Sequence, residues 1–497
     1  MSKEMEMKEV ELNELDQEKQ PMTGETPAGT EKNGCVKVKV PEDTEVKFTG
    51  LSKEELLRVA GTTGWVRTRL ILLVLFWLGW VGMLAGAVVI IVQAPRCKPI
   101  PEMHWWNEGP LYQIADVNAF AENKGLKGVE EKLDNLNQLK VKGLIIGPIH
   151  RVQADQPKTL DFTIIEPVVG SENDLNSLLE KAHKKGISIV LDLTPNYKGA
   201  EAWFNNIQAV ASQFKVACAS WLHKGVDGVL VSDLEKLVVS QAWPIFQPLF
   251  QTNATEGTKK TAMMGTFTWK SADNASQLLN ASGVDLLLTS LPDLTKRGLE
   301  LDQPINKLYS SHPQNSLGWS LSGRITSGFP ALPIRLYHML LFTLPGTPVF
   351  NNGDEVALKI GEPLNAIWDL ESPPEEKNET AKSVREERSE VRSFFKSLSD
   401  LKGKERALLH GEFISLHSSA SSFAFLRLWD QSERFITVLN WAETPVTVTL
   451  THSDLPAEAR VRISMDVEKL AVDSMMSLEK LELGPKKAVL LSYPYAG

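Results

Sequence analysis

The sequence predicts an α/β protein built from a single transmembrane helix, a (β/α)8 TIM-barrel ectodomain and a C-terminal antiparallel β-sandwich domain. Three observations lead to this fold class. An uncharged apolar run occupies residues 70–92. Short apolar runs then alternate with helical stretches between 109 and 411, as in a parallel sheet covered by helices. From 412 onward, short alternating runs follow one another without helices between them.

The first 64 residues are predicted to form a disordered tail. Residues 1–50 contain 12 Asp or Glu against 7 Lys or Arg, and Phe48 is their only aromatic residue. A segment of this composition cannot bury enough apolar surface to fold. Ser52 and Glu55 have the spacing of a capping box, which could start a short helix within 51–60. The composition nevertheless favours a solvated tail in which this helix is transient.

The apolar run predicts a membrane-spanning helix within 65–95. At the rise of an α-helix, residues 70–92 extend ~34 Å, which is enough to cross the ~30 Å apolar core of a bilayer. The run is too long, and too far from the first residue, to be a cleaved signal peptide. Its length also argues against the alternative of a buried core helix.

Two asymmetries orient this helix. Basic residues are more frequent before it than after it, which places the N-terminus in the cytoplasm. Asn-x-Ser/Thr sequons occur only after it. The basic residues are Lys53, Arg58, Arg67 and Arg69 before the run, against Arg96 and Lys98 after it, and the sequons are at Asn253, Asn274, Asn280 and Asn378. The sequence therefore predicts a single-pass type II glycoprotein of the plasma membrane, with residues 96–497 outside the cell.

Composition excludes several classes of function. The net charge of −9 argues against a nucleic-acid partner. Three cysteines in 497 residues are too few for a disulfide scaffold, so a hydrophobic core must hold the outer part together. The histidines, such as His150 and His183, do not have the spacing of metal ligands, and we expect no metal ion and no cofactor.

Eight strands are predicted for the barrel, which we place at 109–411 after a juxtamembrane neck at 96–108. The strands are expected at 111–117, 143–149, 187–194, 227–234, 261–267, 285–291, 317–322 and 347–353, and helices at 172–185, 214–223, 332–344 and 384–401. Eight such units suggest that the sheet closes on itself. The β domain at 412–497 is expected to contain strands at 423–430, 434–442 and 445–450.

Three segments of the predicted barrel resemble the α-amylase family of glycoside hydrolases. They read IIEPVVGSENDLNSLLEKAHKKGISIVLDLTPNY, GVDGVLVSD and LLFTLPGTPVFNNGDEVAL, and they follow one another in the family's order. The resemblance implies an active site at the carboxyl ends of the barrel strands. It also implies three carboxylates there: a nucleophile, a general acid and a third acid that steadies the transition state.

The positions that match these three acids hold no carboxylate. Ser232 stands at the nucleophile position, Thr266 at the general-acid position and Ser322 at the third, while Leu230 replaces the family's arginine. Asp233 follows Ser232, but successive residues of a strand point to opposite faces, so it is not expected to substitute. We therefore predict that the barrel is not an enzyme.

Asp192 and Asn196 do match the family's third-strand motif, in which Tyr197 replaces a histidine. Asp192 could be a remaining sugar ligand, but we favour a structural role in which it accepts hydrogen bonds from backbone donors at the barrel mouth. The chain between Asn196 and the next helix is short, so the family's inserted domain is expected to be absent. Its absence would remove one wall of a substrate cleft.

Segments outside the barrel resemble a second family. They resemble the heavy-chain subunits of heteromeric amino-acid transporters. The matching segments are WVRTR, LFWLGW, GMLAGAVVIIV, APRC and GLSKEELL, together with FTLPGTPVF from the barrel. The match is weaker to the heavy chain that serves cystine and dibasic amino acids, which is expected to keep the inserted domain. The resemblance implies a non-catalytic ancillary subunit that pairs with a multi-pass transporter light chain and carries it to the cell surface, and it implies association with an integrin. The alternatives are a membrane-anchored glycoside hydrolase and an adhesion or signalling receptor.

Cys97 is the candidate for a disulfide bond to such a partner. It lies five residues beyond the apolar run, on the predicted oxidising side. Cys218, its companion outside the cell, falls in a predicted barrel helix, where a buried thiol is the usual state. A cysteine left unpaired in an oxidising compartment indicates an intermolecular bridge, and a free or lipid-modified cysteine is the alternative. Cys35 is expected to stay a thiol in the reducing cytosol.

The membrane span offers a second candidate contact. Gly79, Gly82 and Gly86 recur at helical spacing, and small residues let helix backbones approach closely. Trp77 and Trp80 lie in the middle of the span rather than at a membrane interface, which also suggests contact with a protein. The span contains no ionisable residue, so a substrate pathway is expected to belong to the partner.

Overall fold

The computed structural model describes residues 52–94, 97–250, 260–291, 302–321, 332–359, 362–368, 370 and 379–495. The chain divides into two compact units, Met1–Pro95 and Arg96–Gly497.

The described part of the first unit contains two helices, α1 (Lys53–Ala60) and α2 (Thr63–Gln93). The expected capping box is present, since the Ser52 hydroxyl accepts from the Glu55 backbone N–H and the Glu55 carboxylate accepts from the Ser52 N–H. α1 is the short helix that this spacing could start. α2 has 31 residues, includes the whole predicted span, and is long and apolar enough to cross a membrane.

The barrel predicted from the alternating runs is confirmed in the second unit. Its strands are β1 (Leu111–Ile114), β2 (Gly143–Ile146), β5 (Ser188–Asp192), β6 (Gly228–Val231), β7 (Ala262–Thr266), β8 (Leu286–Ser290), β9 (Leu317–Ser320) and β10 (Thr347–Asn351), and a hairpin of β3 (His150–Gln153) and β4 (Gln156–Ile165) follows β2. The eight barrel strands are parallel and close in the order β1–β2–β5–β6–β7–β8–β9–β10. β1 closes the ring, because Leu111 is in register with both Gly143 of β2 and Val349 of β10.

Helices follow most of the barrel strands. They are α3 (Val117–Phe120), α4 (Gly125–Glu131), α5 (Leu133–Gln138), α6 (Glu172–Lys184), α7 (Gln208–His223), α8 (Leu234–Val238), α9 (Trp243–Phe250), α10 (Ala272–Ser282), α11 (Asp302–Ser311), α12 (Ile334–Thr343), α13 (Glu379–Lys404) and α14 (Arg406–His410). The four helices predicted from sequence are all present, and α7 and α13 are longer than predicted.

Two local features differ from the expectations. β6 ends at Val231 rather than at residue 234, because Asp233 adopts a left-handed conformation (φ 52°) and its side chain accepts from the Lys236 backbone N–H to start α8. The hairpin of β3 and β4 was not predicted, and its β4 strand packs against α7. Only residues 193–207 separate β5 from α7, which agrees with the expected lack of an inserted domain there.

The barrel interior is an apolar core rather than a pore. Buried side chains from the strands fill it, including Leu111, Ile145, Val190 and Leu230. Trp106, from the predicted neck, joins the same cluster and is only 1% exposed. The neighbouring Asn107 donates to the Thr347 hydroxyl at the first residue of β10, so these residues close the amino-terminal end of the barrel. Trp106 and Asn107 at the end of the predicted neck are thus part of the barrel, whereas residues 97–102 are exposed.

The C-terminal residues form antiparallel sheets, as predicted. Their strands are β11 (Glu412–Ser418), β12 (Ser422–Leu428), β13 (Arg434–Asn440), β14 (Val446–Val448), β15 (Glu458–Ser464), β16 (Met475–Ser477), β17 (Leu481–Leu483) and β18 (Lys487–Tyr493). Six strands form one sheet in the order β11–β12–β13–β18–β15–β16, and β14 pairs with β17. One face of the larger sheet shares an apolar cluster with β14 and β17, whereas its other face, with Phe423 and Phe425, joins the barrel core.

Two buried cations lie where the barrel meets the β domain. Arg427 of β12 is fully buried, and it donates to the Thr343 and Gly411 carbonyls and to the Gln314 side-chain oxygen. Lys402 of α13 is 1% exposed and donates to three carbonyls of the same region. Burial lowers the pKa of Arg427 to about 9 and also lowers the pKa of Lys402. Hydrogen bonds from these two side chains to backbone carbonyls therefore hold the junction together.

Candidate functional site

The barrel mouth contains a small cavity of about 220 Å³ at the carboxyl ends of the strands. Its described lining comes from the last residues of β1, β7, β8, β9 and β10 and the residues that follow them. These side chains are Gln113, Thr266, Phe267, Leu288, Thr289, Ser290, Ser320, Leu321, Val349 and Asn351. None of these lining residues is charged, so the described wall of the cavity offers hydroxyl and amide groups rather than acids.

The predicted nucleophile position directly follows β6, and the predicted acid position ends the adjacent strand β7. Leu230 of β6 packs in the apolar interior, whereas Ser232 follows the end of that strand and is not among the residues that line the cavity. Thr266 is the last residue of β7, and its hydroxyl accepts from the Asp233 backbone N–H at 3.1 Å. The Ser232 carbonyl accepts from the Trp203 indole at 2.8 Å. Both positions thus contribute hydrogen bonds to the local packing.

Asp233 does not take the place of a nucleophile in this arrangement. Its carboxylate caps the first turn of α8 instead of continuing the inward face of β6. Ser322, the third matching position, lies outside the described residues, and its neighbour Leu321 lines the cavity.

Asp192, at the end of β5, has the structural role that we favoured from sequence. Its carboxylate accepts from the Thr194 backbone N–H at 2.8 Å and from the Thr194 hydroxyl at 2.5 Å. Burial raises the pKa of this carboxyl to about 6. Asn196 is also buried, and it bonds with the Asp155 backbone and side chain and with the Glu201 carbonyl. The side chains of both motif residues therefore form hydrogen bonds with other residues of the chain.

The two described cysteines differ sharply in exposure. The Cys97 thiol is exposed, whereas the Cys218 thiol is buried within α7, where burial raises its pKa. The residue after Cys97 is fixed to the β domain, because the Lys98 backbone N–H donates to Asp430 at 3.2 Å and its ammonium contacts Glu412 at 2.7 Å. Sequence reasoning missed this anchor, since its partners lie more than 300 residues away. Cys35 lies outside the described residues.

The predicted interface residues of the membrane span lie on different faces of α2. At about 100° per residue, Gly79, Gly82 and Gly86 fall within an arc of about 60°. Trp77 lies roughly opposite this arc on the same helical geometry, and Trp80 lies next to Trp77, with their rings 5.9 Å apart. A Cβ added at any of the three glycines would meet no atom within 4 Å. The helix thus brings the glycines together and separates them from the tryptophans.

Two of the four sequons can be located. Asn280 is exposed near the end of α10. Asn274 is half-buried in the first turn of the same helix and donates to Glu235 at 3.1 Å. Asn253 and Asn378 lie outside the described residues. Within the described ranges, no cluster of three or more His, Cys, Asp or Glu side chains could hold a metal ion.

Two known families each match a part of this chain. The family described as solute carrier family 3 member 2 N-terminus matches residues 36–112, and the alpha amylase catalytic domain matches residues 116–244. A solved alpha-amylase from Geobacillus thermoleovorans covers 79% of this chain and 99% of its own, with a TM-score of 0.55 and 18% identity. This likeness shows the barrel fold alone.

Curated relatives match almost the entire chain. The amino acid transporter heavy chain SLC3A2 of Rattus norvegicus is 44% identical over 99% of both chains. The heavy chain SLC3A1 of Rattus norvegicus is 23% identical over 95% of this chain and 90% of its own. The chain is thus more similar to the SLC3A2 heavy chain than to the SLC3A1 heavy chain, and one apolar helix fits a protein that crosses the membrane once. The chain therefore belongs to the SLC3A2 family of amino acid transporter heavy chains.

Proposed function

We propose that this heavy chain is a non-catalytic type II subunit of the plasma membrane, joined by a disulfide at Cys97 to a multi-pass amino-acid transporter light chain. In this role it stabilises the light chain and is required for its transport to the cell surface. The observation that carries the proposal is the exposed Cys97 thiol immediately beyond the apolar helix, in a chain whose other described cysteine is buried. Association with an integrin stays a prediction of the resemblance.

The position of Cys97 favours a bridge to a membrane partner. Three residues lie between it and Gln93, the last residue of α2, so a partner's cysteine near the membrane surface would be within reach. The contacts of Lys98 with Asp430 and Glu412 restrict the direction of the chain at this point. A restrained exposed thiol loses less conformational freedom when it forms a bond than a thiol on a free tail does.

The side chains at the barrel mouth support a non-catalytic role. Glycoside hydrolysis at a retaining site needs two carboxyl groups ~5–5.5 Å apart. The described lining of the mouth supplies hydroxyl and amide groups. The Asp192 carboxylate accepts hydrogen bonds from Thr194. Leu230 fills the position of the family's arginine with an apolar side chain that packs in the interior.

The glycine face of α2 is the surface that we assign to the light chain within the membrane. Gly79, Gly82 and Gly86 form a shallow, continuous strip on which a second helix could pack closely. Trp77 and Trp80 lie on another face, so they would contact lipid or a different helix of the same partner. The proposal also includes glycans at the four sequons, of which Asn280 is the one exposed within the described residues.

Affinity capture of the full-length chain from native membranes tests the subunit role. We expect a polytopic protein to co-purify in mild detergent, and to migrate with the chain as one band under denaturing, non-reducing conditions. Reductant should separate the two bands without changing their ratio. Recovery of the chain by itself, with no stoichiometric multi-pass protein, would contradict the proposal.

Assay of the purified full-length chain on maltosyl substrates tests the absence of catalysis. We expect no release of sugar from maltotetraose above the level of a heat-inactivated sample, because the described mouth presents no pair of carboxylates. The variant Asp192→Asn is the matched control. It removes the carboxylate of the third-strand motif, which lies at the end of β5. Hydrolysis that the native chain performs and this variant loses would show an active site in the barrel.

A further inference from the structure

Two tryptophans of α2 lie far from the membrane surfaces at which tryptophan is enriched. Trp80 is ten residues from Leu70 and twelve from Val92, the ends of the apolar run, or ~15 and ~18 Å at helical rise. Trp65, five residues before the run, is at the level where the bilayer meets water. Trp80 and its neighbour Trp77 are instead near the midplane of the hydrocarbon core.

The indole N–H groups of these two residues have no acceptor among the described residues. The two rings contact each other edge to face, with 5.9 Å between centroids, and Trp77 contacts Phe76 in the same way at 6.0 Å. These contacts pack the rings without supplying an oxygen. Trp80 is 46% exposed on the surface of the helix, which in a membrane faces hydrocarbon or protein. Because hydrocarbon offers no acceptor, a donor left there costs free energy, and a partner that supplies an oxygen is favoured.

A second copy of this chain cannot supply that oxygen. Residues 70–92 contain no serine, threonine, asparagine, glutamine, tyrosine or ionisable residue, so no side-chain oxygen lies at this depth. The backbone carbonyls here accept from N–H groups of the same helix. The Met83 thioether is only a weak acceptor, and tryptophan itself only donates. A multi-pass protein differs, because polar side chains and unwound backbone lie inside its helix bundle at this depth.

We propose that the Trp80 indole N–H donates to an oxygen of the transporter light chain near the midplane, from an amide or hydroxyl side chain or from unwound backbone. This inference rests on the function proposed above, because the light chain is the partner. Trp80 lies about 100° around the helix from Gly79. A helix seated in the groove between two helices of the light chain therefore presents its glycines to one and Trp80 to the other. Trp77, further round from the glycines, packs edge-on against Trp80 and limits the rotation of its ring.

Association without the disulfide tests this contact. The full-length chain is expressed as Cys97→Ser together with a light chain, so capture in mild detergent depends on noncovalent contacts alone. Incorporation of 3-benzothienylalanine at position 80 keeps the shape of the indole but replaces its N–H by sulfur. We expect it to lower the captured fraction of light chain about threefold or more, as for a typical hydrogen bond between membrane helices. The same replacement of Trp65 is the matched control and should leave capture unchanged, because that ring reaches water.

Photo-crosslinking identifies what covers Trp80. The photoreactive residue p-benzoylphenylalanine at position 80 should react with the light chain, whereas the same probe in place of Val81, about 100° further round the helix, should react with lipid. Unchanged capture with benzothienylalanine at position 80, an equal loss at position 65, or a crosslink from position 80 only to lipid or to a second copy would overturn the proposal.

The disulfide-linked band of the chain with native Cys97 separates this result from the subunit role. If that band forms and position 80 behaves in one of these contrary ways, the Trp80 contact is wrong and the light-chain partner stands. If no band forms and no multi-pass protein is captured, the proposed function fails together with the Trp80 contact.

Discussion

Replacing Cys97 by serine is expected to remove the covalent complex with the light chain completely. Serine keeps the size and exposure of the side chain but cannot form a disulfide bond. The high-mass band on a denaturing, non-reducing gel should therefore disappear, while association in mild detergent persists through the membrane helices. Immunoblotting of membranes from cells that express each variant with a light chain measures both quantities. The amount of light chain at the surface should fall less than the amount of covalent complex, because contacts within the membrane remain.

The other two cysteines provide matched controls. Cys218→Ala should leave the bridge intact, because that thiol is buried within α7 and cannot reach a partner. Cys35→Ser should also have no effect if the N-terminal tail is in the reducing cytosol. A band that survives in Cys97→Ser, or one that is lost in Cys35→Ser instead, would contradict both the assigned bridge and the assigned topology.

Replacing Arg427 by methionine is expected to lower the free energy of unfolding of the outer unit by about 3 kcal/mol. The guanidinium donates to two carbonyls and one amide oxygen at the junction of the barrel and the β domain. Methionine fills much of the same volume but leaves the Thr343 carbonyl and the Gln314 amide without this donor. We expect the loss of these charge-assisted bonds to outweigh the relief of a buried charge, because buried acceptors are left without their donor.

Urea-induced unfolding of the purified chain, followed by circular dichroism, measures this effect. Limited proteolysis adds a local readout, because cleavage between α13 and β11 should become faster as the junction loosens. Arg406→Met is the matched control, since Arg406 is exposed on the adjacent α14 and its replacement should change stability by less than about 0.5 kcal/mol. Equal stability of Arg427→Met and the native chain would show that the junction depends on apolar packing alone.

The barrel strands could be predicted from sequence because each one is buried on both faces. Segments such as GLII at 143–146 and SIVLD at 188–192 are uniformly buried in the structure, and they appear in the sequence as continuous apolar runs. The hairpin of β3 and β4 was missed because the β4 strand is largely polar and half exposed. In the β domain, β16 and β17 were missed because they have only three residues each, whereas β11, β15 and β18 were missed although each has seven.

Residue types at the barrel mouth could also be predicted, but their contacts could not. The order of the motifs predicts that Ser232 and Thr266 stand where the family has acids. The sequence near Asp192 does not show that Thr194 donates hydrogen bonds to the Asp192 carboxylate. It also does not show that the Trp203 indole donates to the Ser232 carbonyl. Such contacts depend on backbone geometry at the strand ends, which local pattern does not determine.

The sequence by itself determined the long apolar helix and the α/β barrel with its β domain, and it predicted that the matching catalytic positions hold no acid. Each of these follows from properties read along the chain: length of an apolar run, period of burial, and residue type at a motif. Only the tertiary structure decided that Trp106 closes the barrel, that Lys98 fixes the chain beside Cys97, and that Arg427 holds the junction. These contacts join residues far apart in the chain, and their free energy arises only when folding brings donor and acceptor together in a site without water.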